Sequence, residues 1–120
     1  MDHIVLVVQD VERSVAWYRD RLGLEVLRFD DWKAGRAPFP SVRVNERTII
    51  DIIAGSRAGM NVDHFCLVIE PTDMDELVAG GGFDVVEGPV TRWGARGDGT
   101  SVYVTDPDGN VIELRHYGGD

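Results

Sequence analysis

The second half of this sequence repeats the residue order of its first half, and this repeat limits the fold more than any other feature. The segment DHIVLV at residues 2–7 returns as DHFCLV at residues 63–68, and SVRV at residues 41–44 returns as SVYV at residues 101–104. Both pairs are separated by about 60 residues, the length of one supersecondary unit. A unit of that size cannot cover both faces of its own sheet, so the two units are predicted to share one core.

Each half has the pattern of a strand, a helix and three further strands. Alternating apolar residues predict strands, and Asp10 and Gly23 have the residue types that begin and end a helix. The predicted fold class is α+β, with two tandem βαβββ modules forming a cupped, barrel-like mixed β-sheet with helices on the outside. We expect a single domain over residues 1–120, with module 1 at residues 1–54, a linker at residues 55–61 and module 2 at residues 62–117.

The second module contains the less regular predictions. Thr72, with Asp75 three residues later, predicts the start of a short helix. A strand is expected at residues 83–87. The Gly- and Arg-rich residues 88–99 are predicted to form a loop before the last hairpin.

Composition excludes several functions. The formal net charge of −9 and the single lysine, Lys33, argue against binding to nucleic acid, which requires clustered cations. The first apolar run is short and has no basic flank, and no long apolar span follows, so we expect a cytoplasmic protein that does not associate with membranes. Cys66 is the only cysteine, which excludes an intrachain disulfide.

Two histidines and two carboxylates occupy matching positions in the two halves. Alternation along the strands places His3, His64 and Glu113 on the concave side of the sheet, opposite the fully apolar face. Two imidazoles and a carboxylate suit Zn, Ni, Mn, Co or Fe(II), so these three residues are predicted to bind a divalent metal ion. Asp51 is a possible fourth ligand, which binds directly, through a water, or not at all. Each residue alone also fits an ordinary strand end, but the matched positions favour the metal site.

Further polar residues are candidates for substrate binding. Arg43, Ser101 and Tyr103 share the concave side of their strands by the same alternation, although packing explains such residues equally well. Arg92 and Arg96 are placed where they would close over an anionic substrate, or else lie on a solvated loop.

The repeated Asp-His strands, the helix DVERSVAWYRDRLGL at residues 10–24 and the hairpin DPDGNVIEL at residues 106–114 together resemble the vicinal oxygen chelate superfamily. This superfamily contains glyoxalase I, methylmalonyl-CoA epimerase, extradiol dioxygenases and bleomycin-resistance proteins. The resemblance implies ligands at His3, Asp51, His64 and Glu113, with Glu113 also acting as the catalytic base. It also implies a homodimer acting on a small molecule.

The resemblance leaves three functions open. The first is a metal-dependent lyase or isomerase of the glyoxalase type. The second is a metal-free, antibiotic-binding protein of the bleomycin-resistance type, which the acidic net charge would suit. The third is an extradiol-type Fe(II) dioxygenase, because two histidines and one glutamate also fit an open-sided iron site.

Overall fold

A computed structural model describes residues 1–56, 59, 61–105, 107 and 109–118. Asp106 and Asp108 of the predicted final turn, and residues 57, 58 and 60 of the predicted linker, lie outside the described residues. The described helices and strands follow in the order β1 (His3–Val8), α1 (Val11–Leu22), β2 (Glu25–Leu27), α2 (Phe29–Lys33), β3 (Ser41–Asn45), β4 (Thr48–Ala54), β5 (Val62–Val68), α3 (Met74–Ala79), β6 (Asp84–Gly94), β7 (Gly97–Thr105) and β8 (Val111–His116).

The described strands form one mixed sheet in the order β2-β3-β4-β1-β5-β8-β7-β6. β1 pairs in parallel with β4 and antiparallel with β5, and β5 pairs in parallel with β8. The first strands of the two halves therefore lie side by side at the centre of the sheet. The predicted α+β class with a mixed, curled sheet is confirmed, and the exact module and linker boundaries stay a prediction.

The first helix begins and ends where the sequence predicts. Asp10 has extended backbone angles and its side chain accepts a hydrogen bond from the backbone N–H of Arg13, which stabilises the first turn. Gly23 takes the left-handed conformation at φ 69°, which a residue without Cβ adopts at little cost, and it ends the helix.

Two apolar clusters hold the helices against one face of the sheet. Val11 and Val15 of α1 pack on Val42 and Ile52, and Met74 of α3 belongs to a second cluster with strands β6 to β8. Side chains on this face alternate with those that point into the concave face, as the sequence predicts. The polar candidates are thereby directed away from the helices.

The predicted loop at residues 88–99 is wrong. β6 continues to Gly94 and pairs with β7 until a two-residue turn reverses the chain, with register shifts around residues 85–90. A bulge takes up the glycine and proline that suggested a loop. Gly88 is required there, because a Cβ on this residue would lie 2.7 Å from the carbonyl oxygen of Ser101.

Two smaller expectations also fail. Alternation in the sequence predicts the second strand over residues 24–29, but β2 ends at Leu27, because Arg28 takes a left-handed conformation at φ 63° and the chain turns into α2. The residue that caps α3 is Asp73 rather than Thr72, since the Asp73 side chain accepts hydrogen bonds from the backbone N–H groups of Asp75 and Glu76.

Among the described residues, no helix is long and apolar enough to cross a bilayer.

Candidate metal centre

Strand register brings the four matched residues to one face of the central strands. Asp51 and His64 both lie opposite Val5 of β1, on its two neighbouring strands. Glu113 lies opposite Cys66, and Cys66 lies opposite His3. Directly paired residues of adjacent strands share a face, so ligands from β1, β4, β5 and β8 meet in one place.

Both imidazoles converge on a single carboxylate oxygen. Nε2 of His3 and Nε2 of His64 each lie 3.0 Å from Oε1 of Glu113. These three ligand atoms all lie within 4.8 Å of one another. The two rings are nearly perpendicular, with centroids 5.5 Å apart. This arrangement leaves space for one ion between the three side chains.

The other ring nitrogen of each histidine is held by the residue that precedes it. Nδ1 of His3 lies 2.6 Å from Oδ1 of Asp2, and Nδ1 of His64 lies 2.7 Å from Oδ2 of Asp63. A carboxylate that accepts from Nδ1 fixes the hydrogen on that nitrogen, so that the lone pair of Nε2 is available to a metal ion. Sequence reasoning did not assign this role, although the repeated Asp-His pair contained the signal.

The Nε2 contacts need a positive charge between them. With Nδ1 donating to aspartate, a neutral imidazole would face Oε1 of Glu113 with a lone pair, and two acceptors repel each other. Burial opposes protonation, but the hydrogen bonds to Asp2 and Glu113 raise the pKa of His3 to about 12. The bonds to Glu113 and Asp63 likewise overcome burial and raise the pKa of His64. A proton on each Nε2 would supply this positive charge, and so would a divalent cation.

Glu113 is held rigidly through its second oxygen. Oε2 accepts hydrogen bonds from Oγ of Ser101 at 2.7 Å and from Nη1 of Arg115 at 3.1 Å. Burial would raise the pKa of Glu113, but its hydrogen bonds to His3, His64 and Ser101 hold that pKa far below its usual range. Glu113 is therefore a carboxylate with one oxygen anchored and the other presented to the histidines.

Arg115 lies behind Glu113 and is fully buried. Its Nη2 donates to the carbonyl oxygens of Arg92 and Gly97. Gly94 makes room for it, because a Cβ there would lie 2.6 Å from Nη1 of Arg115 and 2.7 Å from Oδ1 of Asp2. The guanidinium thus links Glu113 to the β6–β7 turn and requires a glycine beside it.

Asp51 is buried beside the three ligands without joining them. Its Oδ2 lies 3.9 Å from Nε2 of His3, and its Oδ1 accepts a hydrogen bond from Oγ of Ser41 at 2.6 Å. Burial raises the pKa of Asp51 more than His3 and Ser41 lower it. This carboxyl faces the same cavity as the ligands but differs from Glu113 in its affinity for protons.

A cavity of about 260 Å³ opens above this cluster. Of the residues predicted to bind substrate, Tyr103 and Arg92 line it, and Ser101 contacts it only through Glu113. Arg43 instead donates to the carbonyl oxygens of Asn45 and Ala95, and Arg96 stacks on Tyr117, so both lie away from the cavity wall. The mostly apolar wall consists of His3, Val5, Arg28, Pro38, Phe39, Asp51, Ile53, Asp63, His64, Arg92, Trp93, Tyr103 and Glu113.

Asp2, His3 and Cys66 form a second group with suitable ligand atoms, but it does not favour a metal ion. Nδ1 of His3 already bonds to Asp2. Burial raises the pKa of the Cys66 thiol to about 11, so the thiolate that metals require is disfavoured. The group on the Nε2 side of His3 is therefore the better candidate for a metal centre.

The curled mixed sheet and the matched ligand positions define the class of protein, and the chain belongs to the Glyoxalase/Bleomycin resistance protein/Dioxygenase superfamily, whose sequence pattern matches residues 1–114. The resemblance noted in the sequence is thereby confirmed.

Individual relatives agree with this assignment. The chain is 30% identical to "Virulence protein STM3117" of Salmonella typhimurium, over 98% of this chain and 83% of the relative. It is 33% identical to "Glyoxalase domain-containing protein RDO1" of Mycosarcoma maydis, over 98% of this chain and 68% of the relative. Methylmalonyl-CoA epimerase from Mycobacterium tuberculosis has the same fold, with a TM-score of 0.65 at 18% identity, covering 98% of this chain and 87% of that structure.

Proposed function

We propose that this protein is a metal-dependent lyase or isomerase of the superfamily, in which His3, His64 and Glu113 hold one divalent ion. The observation that supports the proposal is the meeting of both Nε2 atoms at one oxygen of Glu113, with both Nδ1 atoms held by aspartates. The donor set suits Zn, Ni, Mn, Co or Fe(II).

Charge balance supports the same site. Despite burial, hydrogen bonding to Glu113 raises the pKa of both His3 and His64, and each protonated imidazole would release one proton when an ion binds. Exchanging two protons for one divalent ion leaves the charge of this buried cluster unchanged. The cost of transferring extra charge into a buried site is therefore avoided.

A divalent ion in this position supplies a Lewis acid for two neighbouring oxygens of a substrate. The protein itself provides a cavity whose accessible surface is mostly apolar, with two carboxyl groups, Asp51 and Glu113, in its wall. Ser101 and Arg115 fix Glu113, and Ser41 fixes Asp51, so both carboxyl groups are oriented before a substrate arrives.

The two carboxyl groups suit different roles. The sequence predicts Glu113 as both ligand and base, but its depressed pKa makes it a weak proton acceptor. Burial raises the pKa of Asp51 above its ordinary value, which makes it a better proton acceptor than Glu113. We propose that Glu113 would chiefly hold the metal ion and that Asp51, also facing the cavity, would take a proton from the carbon next to a carbonyl of the substrate.

The test measures metal content and proton exchange separately. Protein purified without chelators is analysed for metals, and hydrogen exchange into D2O next to the carbonyl of 2-oxo acids and hydroxyketones is followed by NMR. We expect Glu113→Gln to lose metal and exchange together, and Asp51→Asn to keep metal but lose exchange. Full exchange in Asp51→Asn would transfer the base role back to Glu113. Failure to take up any of the five metals would favour the antibiotic-binding alternative.

A second candidate function is an extradiol-type Fe(II) dioxygenase. It is favoured by the fact that three residues rather than four form the close ligand set, which is the composition of an open-sided two-histidine, one-carboxylate iron site. Oxygen uptake by Fe(II)-loaded protein in the presence of catechol would support this reaction, and its absence would leave the lyase or isomerase.

We also propose that the protein acts in the cytoplasm on a small-molecule substrate and assembles as a homodimer. The resemblance of its sequence to the superfamily supports the substrate class and the assembly. Trp17 of α1 is 51% exposed and is a candidate contact between subunits. Sedimentation velocity would report the mass, and Trp17→Glu is expected to shift a dimer towards monomer. A single species of monomer mass in the wild-type protein would refute the assembly.

A further inference from the structure

One arginine in the cavity wall, Arg28, forms no ion pair with any of the described residues. The guanidinium of Arg28 lies 4.1 Å above the ring centroid of Trp93 and 5.6 Å from that of Phe39. All three residues line the cavity. Nη1 of Arg28 is buried and has no hydrogen-bond acceptor among the described residues.

Other arginines of the chain are paired differently. Arg92, also in the cavity wall, donates to Oε1 of Glu87 at 2.8 Å, and buried Arg115 donates to Glu113. Within the described part of the chain, Arg28 makes no ion pair with any carboxylate, including Asp51 and Asp63 of the same wall. Its positive charge is held in place by aromatic rings alone.

The backbone of Arg28 is also unusual. Its left-handed conformation at φ 63° is disfavoured for a residue with a long side chain. The turn it makes between β2 and α2 directs the side chain to a wall made from Phe39 and from Trp93 of the distant strand β6. Stacking fixes the plane of a guanidinium, which leaves its edge available to a planar anion such as a carboxylate.

The other wall residues indicate the size and polarity of the rest of the ligand. Val5, Ile53 and Pro38 are apolar, and the cavity of about 260 Å³ has room for only a small molecule. An uncharged ligand would leave Arg28 unpaired. The other arginine of the wall, Arg92, is already paired with Glu87, so a second anionic group would meet no unpaired arginine among the described wall residues. A single anionic group on an apolar body matches both features.

We propose that Arg28 is the anion-binding residue of this cavity, and that the ligand is a small apolar or aromatic monocarboxylate. The inference rests on the proposed use of the cavity for substrate, but it does not depend on the metal ion.

The test compares benzoate with benzamide, which has nearly the same shape and no charge. Binding to metal-free protein in EDTA is measured by isothermal titration calorimetry. We expect benzoate to bind about tenfold or more tightly than benzamide, the effect of a charge-assisted hydrogen bond. Arg28→Gln should abolish this preference. Arg36→Gln, which removes an exposed arginine paired with Asp31, should retain the preference. No preference in the wild-type protein, or an equal preference in Arg28→Gln, would overturn the proposal.

A crystal structure of the wild-type protein with 4-bromobenzoate covers the case in which Arg28→Gln does not fold. The anomalous signal of bromine should place the ring in the cavity, with the carboxylate on Arg28. Bromine found elsewhere, or binding at crystal concentration only, would contradict the proposal. Metal uptake by Arg28→Gln separates the two hypotheses, because a variant that binds metal normally but has lost its preference for benzoate supports both. If neither the wild-type protein nor any variant binds metal, the proposed metalloenzyme function would be refuted, while the anion site at Arg28 would not.

Discussion

Replacing Asp2 by asparagine tests whether the residue before each histidine prepares it as a ligand. Asp2 is fully buried. Its Oδ1 accepts from Nδ1 of His3 at 2.6 Å and from the backbone N–H of Ala95 at 3.1 Å, and its Oδ2 accepts from the hydroxyl of Tyr117. Asparagine keeps the shape but removes the charge and one acceptor.

The expected magnitude follows from those contacts. Loss of an orienting carboxylate lowers metal affinity by about 10- to 100-fold. The hydrogen bond from His3 to Asp2 loses the charge of the carboxylate, which should lower the free energy of unfolding of the metal-free protein by about 1–1.5 kcal/mol, the difference between a charged and a neutral hydrogen bond. Asp63→Asn is the matched comparison. The Asp63 side chain is 45% exposed, so water replaces part of its effect, and its unfolding free energy should change by about 0.5 kcal/mol or less.

Metal affinity is measured by competition with a chromophoric chelator, and stability by urea unfolding in EDTA. Asp2→Asn should weaken both, and Asp63→Asn should weaken metal binding with little effect on unfolding. Unchanged affinity for zinc in Asp2→Asn would refute the orienting role. Equal losses of stability in the two variants would show that burial is not what makes Asp2 important.

Three further predictions concern the same cluster. The pKa values of His3 and His64 are raised in the folded state, so their stabilisation of the metal-free protein is present below the unfolded value of 6.5 and declines as pH rises through the folded values. Metal binding should release protons and become tighter as pH rises, and titration with an indicator dye in weak buffer would show the release. Uptake of the ion without release of protons would contradict the exchange of protons for metal. Gly94→Ala should lower the free energy of unfolding in urea by about 1–3 kcal/mol, because its Cβ would lie 2.6 Å from Nη1 of Arg115. Gly82→Ala, which has open space around it, should lower this free energy less. Equal losses in the two variants would argue against the close contact at Gly94. Arg115→Met should destabilise the protein by about 3–5 kcal/mol, because Glu113 loses the buried cation at its Oε2. A neutral effect in the same assay would show that Ser101 and the two histidines hold Glu113 without Arg115.

The repeat was sufficient to predict the sheet and the meeting of His3, His64 and Glu113. Strand alternation and equivalent positions in two halves are local properties of a sequence, and the fold only has to bring the two central strands together. The helix between Asp10 and Gly23 was equally predictable, because both of its ends carry residues with a strong conformational preference.

Features that depend on contacts between distant segments were not predictable. Glycine and proline at residues 88 and 89 indicate a loop locally, but pairing with β7 overrides that tendency and extends the strand. Nothing in the sequence singles out Arg28, since the ring on which it stacks belongs to Trp93 of the distant strand β6. The aspartates before the two histidines were visible in the repeat, yet a role for them required the distance to Nδ1.

The central ladder between β1 and β5 divides the three ligands unequally, because His3 comes from the first half of the chain while His64 and Glu113 come from the second. A bound ion would therefore act as a clamp across the seam between the halves. Amide hydrogens of β1 and β5 should then exchange more slowly with solvent when the ion is present.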